Sequence, residues 1–410
     1  RVGREMADKD PTCLNETLST PDTGGFYYEG VYHVIGPPGT GKTTFLSRQV
    51  EAVVSRYSGE FAKQRWPTPV LVCSLTRAAA AEVAGRHLPI PRRCIGTLHS
   101  HCFRALEAPK LVGRADIEVW NAESGYTMSH GLFGDHSDDG DAWDARAEGI
   151  LGEAMGDRLI AELDLERHRM SSDTGWPIEL RRFATEWRDF KIEREVMDFT
   201  DMIERAIHEV PEPPNGPAVI MVDEAQDLSA LEYTLIKQWS QHSAATIIVG
   251  DPWQVLYSWR GADPSIFDAD RVASGHVRIL SQSYRVPKAV VTVASGWMRD
   301  HLSTYAPVEY KPRDYLMPGE ETPHGVVDTR SATIHDPEPI IEEAIAFVAE
   351  GKSVMFQAAC SYMLSNLIAH LRAQAIPYSN PWRQHRADWN PISPKSKGVT
   401  TTKRLLAMLA

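Results

Sequence analysis

One short segment constrains the fold of this chain more than any other. Residues 36–43 read Gly-Pro-Pro-Gly-Thr-Gly-Lys-Thr, which satisfies the phosphate-loop pattern G-x-x-x-x-G-K-[ST]. The β-prone segment 31–35 precedes the loop, and the helix-like stretch 43–57 follows it. A loop of this kind works between a strand and a helix, so the sequence predicts a strand–loop–helix unit at the edge of a sheet.

The residue types in this loop fit a bound triphosphate. Its glycines allow the backbone to turn several N–H groups toward one concavity, and the following helix adds its positive end. Lys42 adds a mobile positive charge for the β- and γ-phosphates, and the Thr43 hydroxyl is a ligand for Mg²⁺. The predicted nucleotide contacts are Gly36, Pro37, Pro38, Gly39, Thr40, Gly41, Lys42, Thr43 and Thr44.

An acidic motif follows a second apolar run, 218–222. It reads Asp223-Glu224-Ala225-Gln226-Asp227. Asp223, at the carboxyl end of the run, is placed to hold the same hydrated Mg²⁺, and Glu224 is placed to polarise an attacking water. A glycine-rich turn before a helix can serve packing alone. The acidic pair instead favours binding and hydrolysis of a nucleoside triphosphate.

The spacing of apolar runs predicts an α/β fold with a doubly wound parallel sheet. Runs of strand length, separated by several helix-like segments, lie at 31–35, 70–74, 219–222, 246–249 and 277–280. Continuous apolar strands alternating with helices are typical of parallel sheets, whose ligands bind at the carboxyl ends of the strands. Both phosphate-binding motifs lie at such ends, as in a P-loop NTPase.

Length and composition set broader limits. A chain of 410 residues favours two or three domains, and 42% apolar with 24% charged residues is typical of a soluble protein. No apolar stretch has bilayer length, so we expect no membrane partner. Five cysteines without a C-x-x-C pair favour a reducing, cytoplasmic location. The chain begins at Arg1 and ends at Ala410, and we expect it to be a fragment of a longer protein.

The net charge of −12 argues at first against a nucleic-acid partner. The acidic residues, however, are concentrated between 116 and 166, and the rest of the chain is close to neutral. Such an acidic segment usually forms a solvated face or an exposed insertion. A local basic groove therefore remains compatible with the composition.

Further candidate residues follow the later strands. Gln254 comes after 246–249 and could sense the γ-phosphate or the attacking water, although Gly-Asp-Pro before it can be a simple turn. Arg285 could offset charge on the γ-phosphoryl group, and Tyr284 could stack on the nucleobase. An arginine near a strand end is more often in a surface ion pair.

Other residues fit contacts to a single nucleic-acid strand. Tyr257 and Trp259, beside Arg260, could form a platform on which bases stack, although tryptophans more often serve a core. Thr97 and His99 offer hydroxyl and imidazole donors for a phosphate backbone.

The order of these motifs resembles that of the UvrD/Rep/PcrA-like superfamily 1 DNA helicases. That family has a phosphate loop, T-x-T-x-x-A-A, T-F-H-S, D-F-x-D, D-E-x-Q-D, G-D-x-x-Q-x-I-Y-x-W-R-G-A and N-Y-R in this order. The corresponding segments here are Gly36–Thr43, Ser74-Leu75-Thr76-Arg77-Ala78-Ala79, Thr97-Leu98-His99-Ser100, Asp198-Phe199-Thr200-Asp201, Asp223–Asp227, Gly250–Ala262 and Ser283-Tyr284-Arg285.

The resemblance implies an architecture and a set of roles. Residues 1–104 and 190–285 would form a first RecA-like ATP-binding domain, with 105–189 as an inserted acidic helical subdomain. Residues 286–380 would begin a second RecA-like domain, and 381–410 a further, truncated insertion. The implied ATPase residues are Lys42, Thr43, Asp223, Glu224, Gln254 and Arg285, with Tyr284 stacking on adenine. The implied DNA contacts are Thr97, His99, Tyr257 and Trp259, with Arg260 coupling the G-D-x-x-Q motif to Glu224.

The sequence also departs from the family pattern. Leu75 stands where the family often has a base-stacking Phe, and the second domain's T-x-H-x-x-K-G and T-R-A motifs are not found. We expect an ATP-dependent, Mg²⁺-using DNA helicase or translocase that acts on single-stranded DNA and on duplexes with single-stranded tails. Two alternatives stay open: the motor part of a helicase–nuclease, and an ATP-gated clamp that binds single-stranded DNA without unwinding it.

Overall fold

The computed structural model describes residues 30–56, 66–75, 77–86, 88–129, 154–268, 276–302, 308–316, 324–330, 335–358, 361–379 and 389. The chain divides into two compact units. The first comprises residues 1–142 and 151–327, and the second comprises residues 143–150 and 328–410. The domain boundaries expected from the family resemblance remain a prediction.

A parallel sheet forms the centre of the first unit. It has six strands in the order β3-β2-β4-β5-β1-β6, and all of its strand pairings are parallel. The strands are β1 (Gly30–Ile35), β2 (Thr68–Ser74), β3 (Ile95–Thr97), β4 (Pro217–Val222), β5 (Ala245–Gly250) and β6 (Val277–Ile279). The predicted α/β class is confirmed. The edge strand β3 was missed, because a three-residue Ile-Gly-Thr segment carries no periodic signal.

Some helices of the first unit cover the two faces of this sheet. The helices that the structure describes in this unit are α1 (Lys42–Arg56), α2 (Arg77–Ala84), α3 (Leu98–Ala105), α4 (Arg114–Glu123), α5 (Met155–His168), α6 (Ile178–Glu193), α7 (Phe199–Glu209), α8 (Ala230–Ser240) and α9 (Lys288–His301). On one face, Leu46 and Val50 of α1 pack against Val72 and Met221. The opposite core takes residues from α3, α7 and α8. Alternate residues of a strand face opposite sides, so the buried strands β4 and β5 supply both cores.

A separate apolar cluster joins helices α4, α5 and α6. Trp120 and Trp187 are almost fully buried in it, and their rings meet edge to face at a centroid distance of 5.0 Å. Leu159, Leu163 and Phe183 complete much of its centre. These helices therefore have a core of their own, which fits the helical segment predicted from the sequence.

The acidic residues of this helical region are not all on a solvated face. Asp116, Asp157 and Asp164 are buried. Asp157 accepts a hydrogen bond from the backbone N–H of Ser129 at 2.7 Å, and Arg194 donates to Asp116 at 2.8 Å. For these residues the expectation of solvent exposure was wrong, because each carboxylate has a donor from a distant segment. The acidic positions 135–148 lie outside the described residues.

The second unit contains helices α10 (Glu338–Ala349) and α11 (Ser365–Ala373). Ile341 packs with Leu367 and Leu371 in a small apolar cluster. A short 3₁₀ turn, Ser361–Leu364, directly precedes α11. Residues 352–358 include a β-prone stretch, but they have no strand pairing among the described residues. A β-prone segment becomes a strand only where a partner completes its hydrogen-bond ladder.

Two expectations from the composition can be compared with the structure. Cys73, Cys94 and Cys102 are buried free thiols, whereas Cys13 and Cys360 lie outside the described residues. Of the helices that the structure describes, none combines the length and the apolar character needed to cross a bilayer.

Candidate functional site

The phosphate loop follows β1 and is fixed to the neighbouring strand. The N–H of Gly36 donates to the carbonyl of Gly250, at the end of β5, over 2.9 Å. Gly39 and Gly41 have φ angles of 74° and 81°, which residues with a Cβ rarely adopt. Thr40 Oγ1 closes the turn by donating to the Pro37 carbonyl at 2.8 Å. The loop therefore has the backbone conformation that its glycines predicted.

Lys42 begins helix α1 and reaches back over the loop. Its Nζ donates to the Gly36 carbonyl at 3.0 Å and lies 3.9 Å from Glu224 Oε2. A flexible ammonium at this position lies between the loop amides and the acidic motif. This placement fits a lysine that contacts the terminal phosphates of a nucleotide.

The acidic pair is placed by a sharp turn after β4. Asp223 is 2% exposed, and its N–H donates to the Cys73 carbonyl of β2 at 2.9 Å. Glu224 has a φ of 51°, in the left-handed region, and its N–H donates to Asp223 Oδ1 at 3.0 Å. A non-glycine residue in this conformation costs roughly 1 kcal/mol. The turn directs Glu224 away from the strand, toward Lys42 and the loop.

Gln226 connects the acidic motif to the end of β5. Its Nε2 donates to Glu224 Oε2 at 3.0 Å, and its Oε1 accepts from the N–H of Asp251 at 3.0 Å. Gln254 donates its side-chain amide to the Asp251 carboxylate. Burial raises the pKa of Asp251 above its ordinary value. Gln226 and Asp251 thus bring the predicted residues Glu224 and Gln254 into one hydrogen-bonded chain.

The segment after β6 packs directly on the phosphate loop. The N–H of Tyr284 donates to the Gly39 carbonyl at 2.8 Å, and Ser283 Oγ donates to the Pro38 carbonyl at 3.0 Å. A Cβ added to Gly39 would lie 2.6 Å from Arg285 Cβ, so a larger residue at this position would displace the segment. Tyr284 and Arg285 therefore lie beside the loop, as predicted.

The aromatic turn, residues 257–261, follows the Gln254 segment. The rings of Tyr257 and Trp259 have centroids 6.2 Å apart, and Trp259 is 42% exposed. Asp227 Oδ1 accepts from the N–H of Leu256 at 2.9 Å and from that of Tyr257 at 3.4 Å. Burial raises the pKa of Asp227 to about 6. The acidic motif thus holds Glu224 at one end and the aromatic turn at the other.

The candidates near β3 are less exposed than a nucleic-acid contact would suggest. Thr97 Oγ1 accepts from the N–H of Ser100 at 3.1 Å and caps helix α3. The side chain of His99 is only 13% exposed and meets Phe199 edge to face. Burial lowers the pKa of His99 to about 3, so the ring is neutral. Thr97 and His99 are therefore placed to orient the start of α3 at least as well as to contact a nucleic acid directly.

Arg260, to which the resemblance assigns a coupling role, pairs with a carboxylate outside the sequence motifs. Its Nη2 donates to Glu232 Oε1 at 2.6 Å, and Glu232 is buried in α8. Glu224 accepts from Gln226. The coupling of Arg260 to Glu224 remains a prediction.

The donors at the sheet edge fit a hydrated Mg²⁺. Thr43 stands at the start of α1 and Asp223 at the end of β4, the positions from which a hydroxyl and a carboxylate can share one ion with phosphate oxygens. The described residues contain no group of three or more His, Cys, Asp or Glu side chains that could hold a metal by themselves. An ion bound here would thus depend on water and phosphate for most of its ligands.

Comparison with known proteins agrees with this geometry. The family model of the UvrD/REP helicase N-terminal domain matches residues 25–272, which is more than half of the chain. The chain belongs to the UvrD/REP helicase family. The matched residues include the phosphate loop, the acidic motif and the aromatic turn of this chain.

Curated relatives carry names from the same family. A "Probable DNA helicase" of Mycoplasma pneumoniae is 25% identical over 348 residues, covering 75% of this chain and 58% of the relative. "ATP-dependent DNA helicase PcrA" of Bacillus subtilis is 24% identical over 293 residues, covering 67% of this chain and 38% of the relative. This UvrD/REP-family chain thus spans 38% to 58% of these relatives' lengths.

Several residues of the site were not singled out from the sequence. Arg86, just after α2, donates Nη1 to Thr44 Oγ1 at 3.2 Å and so lies near the start of α1. Tyr310 donates its hydroxyl to the Pro38 carbonyl at 2.7 Å. The sequence indicated Ser283 only as part of the Ser-Tyr-Arg motif and gave no role to Glu232. Tyr310 and Arg86 are joined to the loop only by folding, so no local pattern could identify them.

Proposed function

We propose that this protein is an ATP-dependent, Mg²⁺-using DNA helicase or translocase of the UvrD type. The observation that carries the proposal is the hydrogen-bonded chain from Glu224 through Gln226 and Asp227 to the aromatic turn. It joins the acidic motif beside the phosphate loop to the exposed aromatic turn. In a helicase or translocase, such a connection would let a change at the phosphate site affect the contact with DNA.

ATP would bind with its phosphates against the backbone of the loop. The N–H groups around Gly39 and Gly41 and the N-terminus of α1 would hold the phosphate oxygens, and Lys42 would contact the β- and γ-phosphates. Bound Mg²⁺, held by Thr43 and Asp223, would neutralise charge on the same phosphates. Tyr284 lies beside Gly41 and would stack on the adenine.

Hydrolysis would follow from the placement of Glu224. Its carboxylate would orient a water and accept its proton as the water oxygen attacks the γ-phosphorus and ADP leaves. Gln254, held by Asp251, would help to position that water. Lys42 and Arg285 would offset the charge that develops on the transferring group.

The DNA contacts would begin at the aromatic turn. Tyr257 and Trp259 offer ring faces on which successive bases of a single strand can stack, each worth about 1–3 kcal/mol. Thr97 and His99 would contribute from the start of α3, as backbone contacts or by orienting that segment. A change at Glu224 during hydrolysis would reach the turn through Gln226 and Asp227.

Two substitutions test the nucleotide site. Lys42→Ala should abolish binding of a fluorescent ATP analogue, and Glu224→Gln should keep binding but lower turnover at least about 100-fold. The exposed Lys237 provides the matched control, because Lys237→Ala removes the same charge away from the site. Wild-type turnover in both Lys42→Ala and Glu224→Gln would contradict the assignment.

The remaining alternatives predict different effects of DNA on ATP hydrolysis and different abilities to separate a duplex. A helicase or translocase should show ATP hydrolysis that single-stranded DNA stimulates, and a helicase should also separate a duplex with a single-stranded tail. An ATP-gated clamp would fail the second test. The motor of a helicase–nuclease would pass both and would require a carboxylate-rich nuclease motif in the complete reading frame.

A further inference from the structure

Glu232 is a buried carboxylate in α8 that belongs to none of the nucleotide-binding motifs. It is 1% exposed. Its Oε2 accepts from the N–H of Ser229 at 2.9 Å and from Ser229 Oγ at 3.0 Å. Together with the bond that the N–H of Glu232 donates to Ser229 Oγ, these contacts form a capping box at the start of the helix. A glutamine can fill this capping role as well as a glutamate, so capping alone does not explain the charge.

The charge is explained by Arg260. Glu232 Oε1 accepts from Arg260 Nη2 at 2.6 Å, and the arginine side chain is only 11% exposed. Burial raises the pKa of Glu232, but Arg260, together with smaller contributions that include the N–H of Ser229, outweighs burial and holds the pKa at about 2. Without the carboxylate, a buried guanidinium would lose its counter-charge, which is costly in a low-dielectric interior. The pair therefore fixes Arg260, and with it the aromatic turn.

Two neutral histidines complete the surroundings of this carboxylate. His99 of α3 places Nδ1 3.9 Å from Glu232 Oε1, and His168 of α5 places Nδ1 2.8 Å from Ser229 Oγ. Burial lowers the pKa of both rings. A Cβ on Gly261 would lie 3.1 Å from His168 Cβ, so the aromatic turn packs closely on the end of α5. Helices α3, α5 and α8 and the aromatic turn thus meet around one carboxylate.

We propose that Glu232 is a positioning residue for the DNA-binding surface. Through Arg260 it holds the aromatic turn at a fixed distance from the start of α3, so that Trp259 and Thr97 can contact the same strand. This inference rests on the proposed function, because it requires a DNA strand at that surface. Because Glu232 is buried, it would act through Arg260 and not by contact with nucleotide or DNA.

Substitution of Glu232 by the isosteric amide tests the proposal. Glu232→Gln keeps the capping contacts and removes the charge that holds Arg260. We expect the dissociation constant for a labelled oligothymidylate to rise about tenfold, while affinity for a fluorescent ATP analogue changes less than about twofold. Glu209→Gln is the matched control, because it removes the carboxylate of an exposed Arg–Glu pair on α7.

A double variant keeps the test decisive if Glu232→Gln fails to fold. Glu232→Gln combined with Arg260→Gln leaves no unpaired buried charge. If Glu232 acts through Arg260, the double variant should bind the oligonucleotide no more weakly than Arg260→Gln alone. Parallel losses of DNA affinity, ATP affinity and melting temperature would indicate general destabilisation and would overturn the proposal.

The outcomes separate this inference from the function beneath it. A wild-type protein that does not bind the oligonucleotide would overturn both. Wild-type binding with unchanged affinity in Glu232→Gln and in the double variant would overturn the positioning role alone. A selective loss of DNA affinity in both variants would support both.

Discussion

Two clusters of charged residues in the first unit are built on opposite principles. At the base of the helical region, Asp198 accepts from Lys191 Nζ at 2.6 Å and from Trp187 Nε1 at 3.0 Å, while Asp201 accepts from Arg167 Nη2 at 2.6 Å. At the phosphate loop, by contrast, Lys42 Nζ and Glu224 Oε2 are 3.9 Å apart, and the side chain of Glu224 is 38% exposed.

The difference separates charges that stabilise from charges that act. The cluster of Asp198 and Asp201 ties α5, α6 and α7 together, and its cations offset the cost of burying the carboxylates. The charges of Lys42 and Glu224 interact loosely with each other, and Glu224 is held in a left-handed backbone conformation. Strain and incomplete pairing at a sheet edge are typical of a functional site.

Breaking the tight cluster should give the largest loss of stability. Asp198→Ala leaves Lys191 and Arg167 buried with less compensating charge, and it removes the N-cap of α7. We expect the free energy of unfolding in urea to fall by about 4 kcal/mol.

The matched control for this change lies on the same helix. Glu209→Ala removes a carboxylate from the exposed Arg205–Glu209 pair, and little change in stability is expected. Equal effects of Asp198→Ala and Glu209→Ala would show that burial does not distinguish the cluster.

The sequence predicted the sheet and its motifs better than it predicted these clusters. Every residue of the apolar run before Asp223 is buried in strand β4. A continuous apolar run of this length predicts such a buried strand directly. Capping explains part of the D-F-x-D motif, since Asp198 and Asp201 form a capping box for α7.

Partners that are distant in the sequence could not be predicted in the same way. Arg194 meets Asp116 across 78 positions, and Tyr310 meets Pro38 across 272. The pairing of Arg260 with Glu232 is a further case, because Glu232 lies outside the motif, on helix α8. A motif specifies which residues occur, whereas the partner depends on which side chain a neighbouring helix brings beside it.

A third kind of buried group differs from both clusters, because it has no charged partner among the described residues. His33 of β1 is 1% exposed, neither ring nitrogen has a hydrogen-bond partner among the described residues, and its ring meets Phe267 edge to face at 5.6 Å. Burial lowers the pKa of His33 to about 4.

The sign of the pH effect follows from this lowered pKa. Between pH about 6.5 and about 4 the unfolded chain binds a proton at His33 that the native state does not, so stability falls as the pH falls through this range. We expect His33 to contribute about 2 kcal/mol to the loss between pH 7 and pH 5. Urea unfolding of wild type and His33→Leu at both values measures it. An equal loss in the two proteins would contradict the assignment to His33.

The smallest expected effect concerns the hydrogen bonds that hold the phosphate loop in place. Tyr310→Phe removes the hydroxyl that donates to the Pro38 carbonyl, while Ser283 Oγ still donates to the same carbonyl. Because one of two donors remains, we expect a loss of about 1 kcal/mol in unfolding free energy.

The loop that Tyr310 contacts also binds the phosphates in the proposed function, so a fewfold loss of affinity for a fluorescent ATP analogue should accompany this change. Tyr378→Phe provides the comparison, because it removes a hydroxyl that accepts from Arg372 in the second unit. If Tyr310→Phe weakens ATP binding and Tyr378→Phe does not, the loop depends on contacts from the segment after α9. Unchanged ATP affinity in Tyr310→Phe would mean that the backbone of the loop holds its conformation without that support.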